Sequence, residues 1–572
     1  MLKKRVQLLL LIALMVFPSF ATLQAQLGTW AISAGSGARD YASDILVDAS
    51  GNTYVTGYFT DSIEFEGTKL MSQGKNDIYI AKYDANGDLM WAQSQGWYEN
   101  DFARKLAEDW NGNIIVLGEY QDSTILAGDT ILNLDTLWWG PYAQTYDVYL
   151  LEIEPNGNNH KVFADGWFSS ERAYDITVDG NADRVMAVTW HTWSWWERGI
   201  PGKGFHDAMI VALDSGAVMD TNIINQYFHN RSHAWGAQFD EAREVEVIGD
   251  SLYVLGGMFQ DTCYFRDSTL FGITDFEDDI FITTHDDTAG FKWALWGGSP
   301  GKDRMTGMTQ DAMGNIYVTG TYIDTFSLGG QQIVSSGELD GFIAKIDQSG
   351  NLLWLTSVGG GSFDAIEDIK YRSGNGDLII TGYFQGEITI GGTTHQATDS
   401  LDQNVYVAAI DASNGSVNWS WNGGGPGIDF GQAVSISNTD EIYVIGTFTG
   451  TAQFGQQQLT SQGSDDIFIL RMDATGSVST HDPNYSTLQG LNIYPNPGRD
   501  RIHVAFELEQ KQDIEVRLMN LSGQLLLNQD FGAKAPGTYD EEFDLSGIAP
   551  GFYLIQLQAG NETQTKKLVL AR

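Results

Sequence analysis

Short runs of β-branched and aromatic residues alternate with turn residues along most of the chain, most clearly at residues 302–360. Four apolar runs follow one another there, and Asp, Asn and Gly bound each run, as in the segment DAMGN at 311–315. These polar residues form tight turns, and apolar runs of this composition are typical of β-strands. The pattern therefore predicts a repeating unit of four strands.

The same unit recurs along the chain with a period of 61 to 71 residues. The glycine that ends the second run returns at Gly57, Gly118, Gly256, Gly320, Gly382 and Gly446, with a degenerate copy at Thr189. A tryptophan in the fourth run keeps the same register, as at Trp30, Trp91, Trp293, Trp354 and Trp419. This period predicts an all-β fold, a seven-bladed β-propeller with four-stranded blades.

The two ends of the repeat array predict how the ring closes. The seventh unit has three strands, the third at 466–473, and no fourth run with a tryptophan follows. Residues 29–34 form a tryptophan-bearing run that has no unit of its own. We therefore expect the N-terminal strand to complete the last blade, since closure removes open sheet edges.

Composition and charge narrow the functional classes. Of the 572 residues 42% are apolar, enough for a large core and more than one domain, and the formal net charge is −42. Such an acidic surface repels phosphate, which argues against a nucleic-acid partner and favours solubility outside the cell. Residues 1–25 have the basic start and apolar run of a secretory signal peptide, cut after Ala25 or after Ala21. No later stretch predicts a transmembrane span, and the single cysteine, Cys263, excludes an internal disulfide.

Aromatic residues concentrate in the irregular blades two to four. The predicted loops contain the candidate ligand-binding residues Trp138, Trp139 and Tyr142 in blade two, Trp190, Trp193, Trp195 and Trp196 in blade three, and Trp235 in an insertion around 229–239 after blade three's last strand. All three segments map to one face of the ring. They would either pack on a neighbouring blade or bind a sugar ring or a protein, and both interpretations stay open.

Three chemical motifs carry little weight. The segment GGSPG at 297–301 matches a nucleophile elbow but lies at a blade junction with no helix after it. His229 and His233 are the one histidine pair with ligand-like spacing. The turns DANGD, DQSGN and DASGN lack the calcium-loop pattern. We predict no catalytic residue, metal ligand or cofactor, while a structural cation such as calcium stays open.

The repeat D-x-x-G-N-x-Y-V-T-G, followed by D-x-F/Y-I-A-K and a tryptophan, resembles the bacterial β-propeller repeats called SBBP over residues 28–478. This resemblance implies a propeller and an extracellular location. It implies no activity, because propellers host many unrelated functions.

The pattern changes after a short polar linker at 479–490. The propeller is therefore assigned to 26–478, and the short alternating strands of 491–572 predict a small immunoglobulin-like β-sandwich. The segments LNIYPNP, LSGQL and DLSGIAPGFY and the basic end resemble the type A C-terminal sorting domain of the type IX secretion system. The resemblance implies export across the outer membrane, removal of the domain, and release or lipopolysaccharide attachment. It assigns the sorting motif to Pro495, Asn496, Pro497, Gly551, Lys566 and Lys567.

Together these features predict a propeller secreted to, or displayed on, the outer surface of a Gram-negative bacterium. We expect the type IX secretion machinery as one partner and a glycan or surface protein as another, which makes the chain a non-enzymatic binding or adhesion module. An extracellular glycan-degrading enzyme and a passive surface-layer or matrix component are the alternatives.

Overall fold

The computed structural model of the chain describes residues 30–132, 145–165, 170–179, 184–191, 206–213, 229–236, 240–249, 252–265, 268–272, 277–286, 291–476, 488–499, 501–508, 512–520, 525–534, 537–559 and 562–571. Every helix or strand assigned within these residues is a β-strand, which confirms the predicted all-β fold. Contacts divide the chain into two compact units, Gly28–Pro483 and a unit that contains Asn484–Arg572.

The first unit is a propeller. Its described residues form seven antiparallel four-stranded arrangements, each of which we call a blade. In order, the strands are β2 (Asp40–Val47), β3 (Thr53–Phe65), β4 (Thr68–Tyr83) and β5 (Leu89–Gln95) in blade one; β6 (Asp101–Glu108), β7 (Ile114–Gln121), β10 (Tyr146–Ile153) and β11 (Asn159–Asp165) in blade two; β12 (Ser170–Val178), β13 (Arg184–His191), β14 (His206–Leu213) and β15 (His229–Gly236) in blade three; β16 (Asp240–Ile248), β17 (Leu252–Gln260), β20 (Asp278–Asp286) and β21 (Phe291–Gly298) in blade four; β22 (Arg304–Gln310), β23 (Ile316–Tyr322), β26 (Asp340–Ile346) and β27 (Leu352–Val358) in blade five; β28 (Asp364–Arg372), β29 (Asp377–Gln385), β32 (Gln403–Asp411) and β33 (Val417–Gly423) in blade six; and β34 (Phe430–Ile436), β35 (Ile442–Phe448), β38 (Asp466–Met472) and β1 (Trp30–Ala34) in blade seven.

The blades form a closed ring around a central channel. The first strand of each blade contacts the first strand of the next, and β34 of blade seven contacts β2 of blade one. The N-terminal strand β1 pairs antiparallel with β38, placing Trp30 opposite Arg471 and Ala34 opposite Ile467. The last blade is thus completed by the N-terminal strand, as predicted.

A small hairpin extends the connection between the second and third strands of most blades. The hairpins are β8 (Ser123–Leu126) with β9 (Asp129–Leu132), β18 (Thr262–Phe265) with β19 (Ser268–Phe271), β24 (Thr325–Leu328) with β25 (Gln331–Val334), β30 (Glu387–Ile390) with β31 (Thr393–Gln396), and β36 (Thr451–Phe454) with β37 (Gln457–Thr460). Each contacts the fourth strand, or the residue after it, of the preceding blade, as where Gly297 pairs with Leu328. Sequence analysis missed this hairpin, although the pattern TFSLGGQQI at 325–333 has the two-glycine turn that indicates one.

Tryptophans of the fourth strands fix neighbouring blades to each other. Gly350 has φ of +83°, and a Cβ there would lie 2.6 Å from the Trp293 ring, so that only glycine fits this turn. The Trp293 Nε1 donates to the Gln348 carbonyl at 2.9 Å. The same packing recurs in the pairs Trp30 with Gly87, Trp91 with Gly157, Trp354 with Gly415 and Trp419 with Gly476.

Blade three differs from the prediction in two places. Trp190 lies near the end of strand β13, where it pairs with Asp207, rather than in the following loop. The expected insertion around 229–239 was also wrong: His229–Gly236 is the fourth strand itself, and it places Trp235 at a strand end. The physical reason is that β14 needs a partner on the edge that β13 leaves open, and β15 pairs with it there.

The second unit is a two-sheet β-sandwich, as predicted. One sheet has the order β39 (Leu488–Tyr494), β40 (Arg501–Leu508), β43 (Gly537–Asp544), and the other β42 (Leu525–Lys534), β41 (Gln512–Asn520), β44 (Gly551–Ala559), β45 (Glu562–Leu570). Alternating apolar residues of both sheets share one buried core, to which Val504 and Val516 contribute.

Candidate binding site at the mouth of the propeller channel

Every first strand of the propeller contains a bulge at the same place. In β6 the register shifts between Ala103 and Lys105, and in β12 it shifts between Ala173 and Asp175. A bulge re-aims the side chains next to it. Polar side chains from different blades therefore converge in the channel.

The middle of the channel holds a network of charged side chains, which we call the channel network. Its members are Asp44, Lys105, Asp175, Glu244, Glu246, Asp368 and Lys370. Burial alone would lower the pKa of Lys105, but attraction to four surrounding carboxylates raises it well above its usual value. Attraction to Asp368, whose Oδ1 lies 3.9 Å from the Lys370 Nζ, raises the pKa of Lys370 as well. The two lysines thus stay charged and offset part of the negative charge, while burial still raises the pKa of Asp44, Asp175, Glu244 and Glu246.

Carboxylates of the network also tie neighbouring blades together. The Asp44 Oδ2 accepts the Leu106 N–H of the next blade at 2.7 Å. The Asp175 Oδ2 accepts the Val245 N–H at 2.9 Å, and the Asp368 Oδ2 accepts the Val434 N–H at 2.9 Å. These hydrogen bonds give the three aspartates a structural role.

A cluster of arginines lies at the end of the channel where the first strands begin. The buried Glu119 of β7, whose side chain is 0% exposed, forms ion pairs with Arg104 of blade two and Arg172 of blade three. The two arginine side chains are 32% and 31% exposed. We call this cluster, with the aromatic residues around it, the channel mouth.

Aromatic rings hold the guanidinium groups of the channel mouth. The Cζ of Arg104 lies 4.8 Å from the ring centre of Phe102, and that of Arg172 lies 4.0 Å from the ring centre of Tyr146. Arg243 repeats the arrangement in blade four, 4.4 Å from the Tyr174 ring. Stacking of this kind fixes the plane of a guanidinium and leaves its edge free to donate hydrogen bonds.

The opposite end of the channel offers a different environment. A cavity of about 350 Å³ lies there between blades six, seven and one. Its carboxylates already accept backbone hydrogen bonds: Asp48 accepts the N–H groups of Ser50 and Asn52 in its own turn, and Asp440 accepts that of Gly374 in the neighbouring blade. The channel mouth is therefore the stronger candidate for a binding site.

The predicted aromatic site falls mostly outside the described residues. Trp138, Trp139, Tyr142, Trp193, Trp195 and Trp196 lie there, while Trp190 and Trp235 lie in strands. Sequence analysis missed the channel mouth, although arginines recur in the first runs of four consecutive blades, at Arg104, Arg172, Arg243 and Arg304. In the described part of the chain, no group of three or more His, Cys, Asp or Glu could hold a metal ion.

The sorting-motif residues lie together in the C-terminal unit. The Asn496 Nδ2 donates to the Lys567 carbonyl at 2.8 Å, and its Oδ1 accepts the Val569 N–H at 2.9 Å. The flanking prolines, Pro495 and Pro497, both follow cis peptide bonds. The same strand, β45, has Lys566 and Lys567 exposed, and its Leu570 pairs with Gly551. The motif thus surrounds one edge strand.

Two families match the chain. Residues 492–571 match the secretion system C-terminal sorting domain, and residues 25–58 match the β-propeller repeat. The chain carries a type IX C-terminal sorting domain. This domain is recognised by the type IX secretion machinery and makes the chain a secreted or cell-surface protein. Among the described residues, none belongs to a helix apolar and long enough to span a bilayer.

Other similarities are distant. Regulatory protein FlaEY of Caulobacter vibrioides is 23% identical over 474 residues, which cover 76% of this chain and 46% of the relative. An uncharacterised WD repeat-containing protein of Acanthamoeba polyphaga mimivirus is 19% identical, with 73% and 36% covered. The chain therefore spans less than half the length of these curated relatives. The crystal structure of quinohemoprotein alcohol dehydrogenase from Comamonas testosteroni is similar with a TM-score of 0.38 and 12% identity, covering 81% of this chain and 78% of that one.

Proposed function

We propose that this chain is a non-enzymatic binding or adhesion module on the outer surface of a Gram-negative cell. The type IX machinery delivers the propeller, and the channel mouth binds an acidic glycan or a protein with acidic side chains. The observation that carries this proposal is the buried Glu119, which holds Arg104 and Arg172 side by side with about a third of each side chain exposed.

The geometry of the channel mouth suits a carboxylate or sulfate group. A guanidinium donates two parallel hydrogen bonds to such a group, and here its plane is fixed before the ligand arrives. Fixing the groups in advance reduces the entropy lost on binding. Because one glutamate faces two arginines, this part of the mouth is locally cationic in a chain with a net charge of −42. An acidic ligand would therefore be attracted to this place on an otherwise repelling surface.

The predicted aromatic loops extend this proposal. Residues 133–144 follow the β8–β9 hairpin of blade two, and residues 192–205 follow the second strand of blade three. Tryptophans of these predicted loops would offer flat faces to sugar rings. In this proposal the arginines hold the acidic groups and the tryptophans hold the rings.

Binding of the full chain to a panel of sulfated, uronic-acid-containing and neutral glycans tests the proposal. We expect acidic glycans to bind the wild-type chain, and Arg172→Ala to weaken that binding by about tenfold or more, as for a lost charge-assisted hydrogen bond. Lys292→Ala is the matched control, since it also removes an ion-paired cation of the propeller, bound to Asp286 at 2.6 Å.

Equal binding by the Arg172→Ala variant and the wild-type chain would remove the channel mouth from the proposal. A folded variant with Trp193→Ala, Trp195→Ala and Trp196→Ala measures how much the predicted aromatic loop contributes to glycan binding. If no acidic ligand binds the wild-type chain, the proposal is wrong, and a passive surface component or an enzyme becomes the better interpretation.

A further inference from the structure

A second cavity, separate from the channel, lies where blades one and two meet. It has a volume of about 310 Å³ and is bounded by the third and fourth strands of blade one and by the hairpin of blade two. The polar residues that line it include Gln73, Asp77, Gln93 and Ser94, and Trp97 adds an aromatic side chain. Its size is at the lower end of the range usual for ligand pockets.

Two buried polar atoms of this cavity lack partners. Asp77 is 1% exposed, and its Oδ2 accepts the Gln73 N–H at 2.8 Å. Its Oδ1 and the Nε2 of Gln93 are both buried without a hydrogen-bond partner in the described part of the chain. A buried polar atom left unpaired is costly, so such atoms indicate a place that another molecule fills.

The carboxyl group of Asp77 retains its acceptor character near neutral pH. Burial raises the pKa of Asp77 to about 6, and hydrogen bonds from the Gln73 N–H and the Ser72 hydroxyl oppose that rise. The group is therefore mostly ionised at neutral pH and accepts hydrogen bonds.

Comparison with other blades shows that Gln93 is the local feature of this lining, whereas Asp340 and Asp466, which correspond to Asp77, also have an Oδ1 without a partner among the described residues. Two residues after the fourth-strand tryptophan, blade one has Gln93, whereas blades four, five, six and seven have Leu295, Thr356, Trp421 and Ile32. In blade five the hydroxyl of Ser357 bonds the Tyr322 hydroxyl at 2.7 Å. Blade one has Ser94 at the serine position but Phe59 at the tyrosine position, so the same pair cannot form there.

The two unpartnered atoms define which chemical groups a ligand of this cavity needs. A ligand must donate to the Asp77 Oδ1 and accept from the Gln93 Nε2. An anion would be repelled by Asp77, and an ammonium group would satisfy the aspartate alone. A hydroxyl group donates and accepts, and neighbouring hydroxyls of one molecule reach both atoms.

We propose that this cavity binds one neutral sugar residue, or a polyol of the same size, through Asp77 and Gln93. Trp97 supplies the flat apolar surface on which a sugar ring packs. The proposal goes beyond the channel mouth and does not depend on it, since the two sites differ in charge and share no residue.

Titration of the full chain with neutral monosaccharides, followed by saturation-transfer NMR, tests the inference. We expect at least one hexose to bind the wild-type chain, and Gln93→Leu and Asp77→Asn each to weaken binding by about tenfold. Leu295 fills the corresponding position of blade four, so Gln93→Leu should fold. Thr356→Leu, a substitution at the corresponding position of blade five, should leave binding unaltered.

Three outcomes would overturn the inference. The first is that no neutral sugar gives a saturable signal, which means that solvent alone fills the cavity. The second is binding of a simple amine without any sugar, which assigns the cavity to cations. The third is that Gln93→Leu, Asp77→Asn and Ser94→Ala all leave sugar binding unchanged. Ser94→Ala is the smallest of these changes to the cavity wall.

Discussion

The charged groups of the channel network and the aspartates of the blade junctions are both buried, but their neighbours differ. In the channel, Lys105 and Lys370 lie among carboxylates and offset part of their charge. At a junction, an aspartate of a third strand faces an aspartate at, or just before, the start of the next blade's first strand. Such pairs are Asp466 with Asp40, Asp77 with Asp101, Asp279 with Asp303, and Asp340 with Asp364.

The facing carboxyl group changes the protonation of the junction aspartates. Burial, together with repulsion from the facing aspartate, raises the pKa of Asp40 and that of Asp303 to about 8. The same causes raise the pKa of Asp364 to about 7. Burial is the largest cause of the raised pKa values in both regions, and the charge of the nearest neighbour adds to that rise or opposes it. At the junctions the facing aspartates add to the rise, whereas in the channel Lys105 and Lys370 oppose it.

Removal of the channel cation should have the largest effect. Lys105→Met leaves Asp44, Asp175 and Glu244 without their shared positive charge, and breaking a buried pair in this way costs about 3–5 kcal/mol. Urea unfolding at neutral pH measures the loss. Lys370→Met is the control, because its side chain is 38% exposed and solvent takes over part of its role, so the loss should be smaller. Equal losses for both variants would contradict the central position of Lys105.

A rise in pH should weaken each junction by a smaller amount per pH unit. A carboxyl group whose pKa is higher in the folded than in the unfolded chain stabilises the fold at low pH and loses that contribution as the pH rises through the folded value. With folded pKa values of about 7 to 8, the free energy of unfolding should fall between pH 5 and pH 8, by about 1.4 kcal/mol per pH unit for each fully responding group.

The variant Asp40→Asn isolates one junction in that experiment. Its amide carries no charge and can donate to the facing Asp466, so stability should match the wild-type chain near pH 5 and exceed it at pH 8. The slope with pH should become shallower by the contribution of one group. A parallel profile for the variant would show that Asp40 is ionised in the folded chain at all these pH values.

The strands were predictable because their signals are local. The turn glycine and the fourth-strand tryptophan recur in each unit, and the unused Trp30 strand indicated how the ring closes, as the pairing with β38 confirms. The channel mouth was not predictable in this way. Arg104 and Arg172 are 68 positions apart, and only the curvature of the ring brings both to Glu119.

The junction aspartates illustrate the same limit. Asp340 begins the run DGFIAKID, and the sequence alone assigns it to turn chemistry. In the structure it faces Asp364 of the next blade, which no local pattern shows. Similarly, the polar residues Gln93 and Ser94 are ordinary in a strand, and the packing of the neighbouring hairpin turns them into the wall of a cavity.

A third group of aspartates, in the turns between first and second strands, should show the smallest effect and the opposite dependence on pH. Asp311 accepts the N–H groups of Met313 and Asn315, the Asn315 side chain at 2.7 Å and the Tyr317 hydroxyl at 3.0 Å. Although burial raises the pKa of Asp311, these hydrogen bonds outweigh it and hold the pKa below its usual value.

A lowered pKa means that Asp311 stabilises the fold at neutral pH and loses that contribution as the pH falls below about 4, through the lowered folded value. Asp311→Asn places an amide donor against donors and should cost about 1–2 kcal/mol at pH 7, measured by urea unfolding, with a smaller deficit near pH 3. Its profile should therefore diverge from the wild-type profile with rising pH in the direction opposite to that of Asp40→Asn. Both variants could instead diverge from the wild-type profile in the same direction. In that case the hydrogen-bond donors around Asp311 and the carboxyl group facing Asp40 would not explain the difference between turn and junction aspartates.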